Sequence, residues 1–139
     1  MQIFLPYKSP LETAKVLDKR RLHKQLIECC QILDTIDGKS TSWSHHPVVL
    51  MYKNHRDFIE KYRLVLYLFR RNTDESIIRI YDEEALALLP DFISDEYCDN
   101  MKRRLYAKDP LFYKQFEALG PSTTNMYFVD GSWKLYTQK

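Results

Sequence analysis

Residues 9–38 read SPLETAKVLDKRRLHKQLIECCQILDTIDG and decide the fold, because they hold both ends of a helix and an apolar repeat between them. Ser9 can cap the helix, Pro10 suits the first helical position, and Glu12 completes a capping box. Gly38 supplies a stop. We therefore predict one continuous helix that ends just before this glycine. Its buried stripe is predicted to consist of Ala14, Leu17, Leu22, Leu26, Cys29, Leu33 and Ile36.

Further helix signals continue along the chain. A second helix is predicted from His46-Pro47 to about residue 71, with a bend near residues 54–55. Residues 82–89 predict a short helix that ends before a proline, and Ser94 predicts a capped helix of about residues 95–107. The last predicted helix begins at Asp109-Pro110 and ends at Gly120-Pro121.

The remaining segments are less regular. Residues 1–8 are short and apolar, with a proline that breaks any regular element, and predict an extended arm packed on the core. Residues 77–81 (IIRIY) fit either a short strand or an extended connector. The aromatic tail, which holds Tyr127, Phe128, Trp133 and Tyr136, is expected to pack onto the body. The predicted fold class is all-α (mainly): a compact single-domain bundle of four to five helices over residues 1–139, with little or no sheet.

Composition excludes several classes of protein. The chain has 139 residues, of which 45% are hydrophobic, which is enough for one packed core. No apolar run approaches the roughly 18 to 20 residues that span a bilayer, and the N-terminus lacks the features of a secretory signal. Three cysteines without a spaced framework indicate a reducing compartment, and no ligand spacing for a metal occurs. We expect a cytoplasmic, monomeric protein that needs no metal, no other cofactor and no membrane.

The distribution of charge is more informative than the net charge of +2. Residues 15–24, 53–71 and 101–114 each carry an excess of four positive charges, whereas residues 74–99 hold nine acids against one arginine. This pattern predicts a basic face and an acidic face. The basic face would attract the phosphates of nucleic acid. The alternative is a set of ordinary solvated helix surfaces.

One face of the first helix carries candidate functional residues. Asp18, Arg21, Gln25 and Glu28 follow helical spacing along one stripe, and Lys24 flanks it. The stripe could bind phosphates around a carboxylate that stabilises a cationic intermediate. The alternative is a solvated face with intrahelical ion pairs.

Two other clusters could contact DNA. His46 precedes a helix start, where a histidine can cap the helix or donate to a phosphate oxygen. Residues 102–116 interleave basic and aromatic side chains, and among them Tyr113 and Lys114 fit base stacking and backbone contacts. The alternative for this segment is that its aromatic residues fill the core. Only three glycines are present, which disfavours a nucleotide-cradling loop.

Taken together, these segments resemble the pyrimidine dimer DNA glycosylase family, the endonuclease V type known from a T-even phage. The motifs that carry the resemblance match in order and spacing over roughly residues 1–118. They are FLPY (4–7), LDKRRLHKQ (17–25) with Glu28 beyond it, HPVVLMY (46–52) and KDPLFYKQF (108–116).

The resemblance implies a mainly helical domain that binds and kinks double-stranded DNA and displaces a base from the stack. It also implies a bifunctional enzyme, a DNA glycosylase that removes a damaged pyrimidine and then cuts the strand by β-elimination as an AP lyase. The family's nucleophile is the α-amine at the start of its own chain. Such an amine has an ordinary pKa of about 7.7 to 8.0, so a useful fraction is neutral at neutral pH.

The resemblance assigns roles to individual residues. Gln2 has a long side chain that normally prevents removal of the initiator methionine, so the implied nucleophile is the amine of Met1. Arg21 aligns with the family's catalytic glutamate, which leaves Glu28 as the candidate carboxylate and Asp18 as the second candidate. The implied DNA contacts are Arg20, Arg21, Lys24, Gln25, His46, Tyr113 and Lys114.

Two other functions remain open from the sequence. The chain could be a DNA-binding module that kept the fold without the catalysis. It could also be an enzyme of another class that uses the same helix stripe and His46 on a nucleotide-like ligand. A closed polar pocket too narrow for duplex DNA would favour the latter.

Overall fold

The computed structural model describes residues 1–137, which form a mainly helical protein with one small sheet. The helices and strands, in chain order, are α1 (Pro10–Val16), α2 (Lys19–Ile36), α3 (Pro47–Tyr52), α4 (Arg56–Arg70), α5 (Glu75–Ala87), α6 (Asp95–Lys108), a 3-10 helix (Lys114–Leu119), β1 (Thr124–Val129) and β2 (Ser132–Thr137). The mainly helical prediction is confirmed. The number of helices was underestimated, because six α-helices form within the described residues where four to five were predicted.

The predicted first helix is two helices, α1 and α2, that meet at Leu17 and Asp18. Ser9 caps α1 as predicted, since its hydroxyl accepts a hydrogen bond from the Glu12 amide. Leu17 then leaves the helical region with φ −67° and ψ 138°, and the Asp18 carboxylate accepts from the Arg21 amide to begin α2. The apolar repeat continues through this break, so periodicity predicted one helix where a second cap begins another.

Three further predictions are corrected. Residues 47–71 form α3 and α4 with a break near His55, not one bent helix. Residues 77–81 are neither strand nor connector, because they lie inside α5, which also contains most of the predicted helix 82–89. The segment after Asp109 makes a turn before the short 3-10 helix, so it is not one regular helix to Gly120. The helix capped by Ser94 is confirmed as α6.

The aromatic tail, to which the sequence assigned no regular structure, folds into a β-hairpin. Asp130 and Gly131 have φ values of +53° and +76°, which suit the two central residues of a tight hairpin turn between β1 and β2. Phe128 stacks on Phe92 at 4.8 Å, so the tail packs on the body as predicted. The Asn100 side chain of α6 donates to the Thr124 carbonyl and fixes the first residue of the hairpin.

The N-terminal arm lies inside the protein, which confirms its predicted packing. Ile3 and Leu5 are fully buried in the main core, together with most of the predicted apolar stripe of α1 and α2. The Tyr97 hydroxyl of α6 donates to the Ile3 carbonyl at 3.1 Å, and the Tyr62 hydroxyl of α4 lies 2.6 Å from the Phe4 carbonyl. Because backbone groups inside a core need partners, these two tyrosines help to hold the arm. Within residues 1–137, no helix has the length and apolar character needed to cross a bilayer.

Candidate active site

The side chain of Gln25 in α2 forms hydrogen bonds with the main chain at the start of the protein, accepting from one peptide group and donating to another. This side chain is 1% exposed. Its Oε1 accepts from the Phe4 amide at 3.0 Å, and its Nε2 donates to the Gln2 carbonyl at 2.7 Å. The Tyr62 hydroxyl lies 2.8 Å from the same Oε1, so it can donate either to Gln25 or to the arm. The main chain of residues 2–4 is therefore fixed against α2.

Glu28 places a carboxylate beside the first peptide bond. The side chain is 7% exposed, and its Oε2 accepts from the Gln2 amide at 3.3 Å and from the Gln25 side chain at 3.0 Å. Only two carbon atoms separate the Gln2 nitrogen from the amine of Met1. The acidic group and the amino end of the chain, which are 27 positions apart in sequence, are neighbours in the fold.

Four cations surround this carboxylate. A cleft of about 260 Å³ is lined by Phe4, Arg20, Arg21, Lys24, Gln25, Glu28 and Lys108. Burial is the largest cause that lowers the pKa of Lys108, and the neighbouring charges of Arg104 and Arg21 lower it further. The cleft thus holds one carboxylate among cations from α2 and from the C-terminal end of α6. Its charge suits a phosphate group.

Arg104, one turn before Lys108 on α6, is a buried cation with an unmet hydrogen-bond donor. It is 6% exposed, its guanidinium lies 5.6 Å from the centre of the Phe4 ring, and its Nη1 has no hydrogen-bond partner among the described residues. Burial lowers the pKa of Arg104. Because a buried charge is costly unless it is paired, this guanidinium would gain from a nearby anion.

His46 caps α3, and its ring lies near the amino end of the chain. Its Nδ1 accepts from the Val48 amide at 3.1 Å, so the neutral ring carries its proton on Nε2. Burial, followed by the positive charge of the chain's amino terminus, lowers the pKa of His46. The rings of Trp43 and Tyr127 meet it edge-on at 5.8 and 6.0 Å. The predicted capping role is confirmed, and a phosphate contact stays a prediction.

Asp18 and Tyr113 form a structural pair at the start of α2. The Tyr113 hydroxyl donates to the Asp18 carboxylate, the Asp18 amide donates back to this hydroxyl at 3.0 Å, and Arg21 pairs with the same carboxylate at 3.1 Å. Burial alone would raise the pKa of Asp18, but the hydrogen bonds from Tyr113 and Arg21 lower it below its usual range. The carboxylate of Asp18 is therefore occupied by its cap and these partners.

Some of the predicted site residues lie apart from the cleft. The prediction that Tyr113 stacks on DNA bases is wrong, because the residue is fully buried. Lys114 is exposed at the start of the 3-10 helix and does not line the cleft. The solvated-face interpretation of the α2 stripe is also wrong for Gln25 and Glu28, which are buried under the arm.

Arg104 and Lys108 were not predicted as site residues from the sequence. Both lie in the basic segment 102–116, and their spacing of four residues puts them on one face of α6. This spacing could have indicated that the two side chains lie close together. It does not predict that this face of α6 packs near the arm and α2. Among residues 1–137, no three His, Cys, Asp or Glu side chains come together as a metal site requires.

The first half of the chain is similar to a known protein family. A family model described as pyrimidine dimer DNA glycosylase matches residues 1–72. This range covers just over half of the chain and includes the arm, α2, Glu28 and His46, whereas α6 lies outside it. Neither the curated proteins nor the solved structures give a match.

Proposed function

The chain belongs to the pyrimidine dimer DNA glycosylase family, and on this premise we propose that it excises a damaged pyrimidine from double-stranded DNA and then cuts the strand as an AP lyase. The nucleophile is the α-amine of Met1, and Glu28 is the carboxylate that stabilises the cationic intermediate. The single observation that carries the proposal is the contact between Glu28 Oε2 and the Gln2 amide at 3.3 Å, next to the Met1 amine.

The reaction follows from this placement. The neutral amine attacks C1′ of the damaged nucleotide, and the base leaves with the electrons of the bond that joined it to the sugar and with a proton. The deoxyribose ring then opens as O4′ leaves C1′ and takes a proton from water, which gives a cationic Schiff base. A carboxylate beside the first peptide bond stabilises this cation more than it stabilises the neutral reactants, which is the condition for faster chemistry. Loss of a C2′ proton then expels the 3′ phosphate and cuts the strand.

The cations of the cleft bind the DNA backbone. Arg20, Lys24 and Lys108 line the cleft beside Glu28, and Arg104, one turn before Lys108 on α6, has an unmet donor. A phosphate in the cleft would satisfy these charges and bring the adjacent sugar toward the amine. Arg21 also lines the cleft. Its ion pair with Asp18 holds its guanidinium in place there.

A trapping experiment tests the proposal. The protein is incubated with a duplex that carries an abasic site or a pyrimidine dimer, borohydride is added, and covalent adducts are resolved on a gel. We expect an adduct with both substrates, and peptide mass mapping should locate it on Met1. Blocking the α-amine chemically should abolish it.

Two variants sharpen the test. Glu28→Gln keeps an oxygen that can accept from the Gln2 amide, so it should fold, and its trapping rate should fall by roughly 10² or more. Glu83→Gln removes an exposed carboxylate on α5 and serves as the matched control with unchanged rate. DNA binding without any adduct from the wild-type protein would overturn the catalytic proposal and favour the DNA-binding module.

A further inference from the structure

The turn at residues 110–113 displays two large apolar side chains to solvent. Leu111 is 90% exposed and Phe112 is 54% exposed, and Leu111 is the most exposed large hydrophobic residue in the described part of the chain. An exposed leucine is common by itself, but an adjacent pair at a turn forms an apolar projection that gains free energy when it is covered.

The turn is held in one shape. The Asp109 carboxylate accepts from the Phe112 amide at 3.1 Å, and the Asp109 carbonyl accepts from the Tyr113 amide at 3.0 Å. Pro110 restricts the backbone at the start of the turn. Tyr113 is buried, and its hydroxyl is bound to Asp18. The two apolar side chains therefore project from a rigid base and not from a loose loop.

The turn is flanked on both sides by residues that line the cationic cleft or contact its lining. Lys108, which lines the cleft, precedes the turn by two residues. On the other side of the turn, the Tyr113 ring lies 5.9 Å from the guanidinium carbon of Arg21, which also lines the cleft. Apolar side chains beside a group of cations are complementary to duplex DNA. The phosphates of the duplex can bind the cations, and the apolar side chains can contact the faces of the stacked bases.

We propose that Leu111, supported by Phe112, inserts into the base stack of duplex DNA next to the target nucleotide and fills the space that a displaced base leaves. This inference rests on the proposed function, because it places the target sugar in the cleft. Apolar side chains that enter a base step unstack it and kink the duplex, and displacement of a base costs free energy that such a filling group offsets.

The first test measures unstacking without catalysis. A duplex carries 2-aminopurine, whose fluorescence rises when it unstacks, beside a tetrahydrofuran analogue of an abasic site that cannot form a Schiff base. The wild-type protein should raise the fluorescence at saturation, and Leu111→Ala and Phe112→Ala should raise it by less than half as much. Ile80→Ala on α5, which removes a side chain 59% exposed in the acidic segment, is the matched control.

The second test separates insertion from general binding. The trapping rate of Leu111→Ala should fall by about tenfold or more on a paired abasic duplex, yet match the wild-type rate when the same site lies in an unpaired bulge. Equal loss on both substrates, or full fluorescence with Leu111→Ala, would overturn the inference. If the wild type forms no adduct at all, the proposed function fails, while the fluorescence experiment still decides whether Leu111 inserts.

Discussion

The side chain of Gln25 holds the amino end of the chain in place, and its replacement gives the most direct test of the site. Leucine has a similar size but no polar atoms. In Gln25→Leu, the Phe4 amide loses its acceptor at 3.0 Å, and the Gln2 carbonyl loses its donor at 2.7 Å. The Tyr62 hydroxyl keeps the Phe4 carbonyl at 2.6 Å, and Glu28 keeps the Gln2 amide. Two buried backbone groups are thus left without partners.

The expected loss of stability follows from these two groups. A buried polar group that loses its partner costs about 1–3 kcal/mol, so the free energy of unfolding should fall by about 2–6 kcal/mol. The lower end applies if the arm lifts enough for water to reach both groups. A lifted arm would also move the Met1 amine away from Glu28. Because a displacement of about 1 Å can cost roughly 10² in rate, the trapping rate should fall at least tenfold at temperatures where the variant stays folded.

Urea unfolding followed by circular dichroism measures the stability, and hydrogen exchange at the Phe4 amide measures the opening of the arm. Gln31→Leu, a change of the same kind at a half-buried position on α2, is the matched control and should lower neither stability nor trapping rate appreciably. A loss below about 1 kcal/mol in Gln25→Leu, with unchanged exchange at Phe4, would refute the role assigned to this side chain.

Two further changes test the charges around the cleft. Asp18 has a lowered pKa in the folded protein, so its contribution to stability is full above the pKa of about 3.9 expected in the unfolded chain and is lost as the pH falls through the lower folded value. Asp18→Asn should therefore lose less stability than the wild type between pH 7 and pH 2.5 in urea titrations, and an identical loss would contradict this linkage. Lys24→Ala should weaken DNA binding and reduce the slope of log K against log salt by about 1, whereas Arg79→Ala on the acidic helix should leave the slope unchanged. A Lys24→Ala slope equal to that of the wild type would remove this side of α2 from the interface.

Helix ends that depend on local signals were predicted well from the sequence. Ser9 and Ser94 cap α1 and α6 where the pattern of capping residues placed them, and Gly38 follows the end of α2 with a φ of +78°. These signals act through hydrogen bonds within about one helical turn, so the sequence contains all the partners. The break at Asp18 was missed because the apolar repeat continues across it.

The hairpin could have been predicted from its turn residues. Asp130-Gly131 lies between two aromatic-rich segments, which is a strong pattern for a two-residue turn. The tail was predicted only to pack on the body, with no secondary structure assigned to it. Aromatic content alone does not distinguish a hairpin from an irregular segment. The resemblance to the family, by contrast, depended on motifs spread over roughly residues 1–118, and the family match covers residues 1–72 of that range.

By itself, the sequence determined the mainly helical class, the starts of α1, α3 and α6, the basic segments and the family, because each depends on residues close together in the chain. The tertiary structure alone decided which charges share a site. It brought Glu28 to the Gln2 amide, added Lys108 from α6 to the cations of α2, and buried Tyr113 against Asp18. These contacts join positions from 26 to 95 residues apart, and only the packing of the core around the arm brings them within reach of one another.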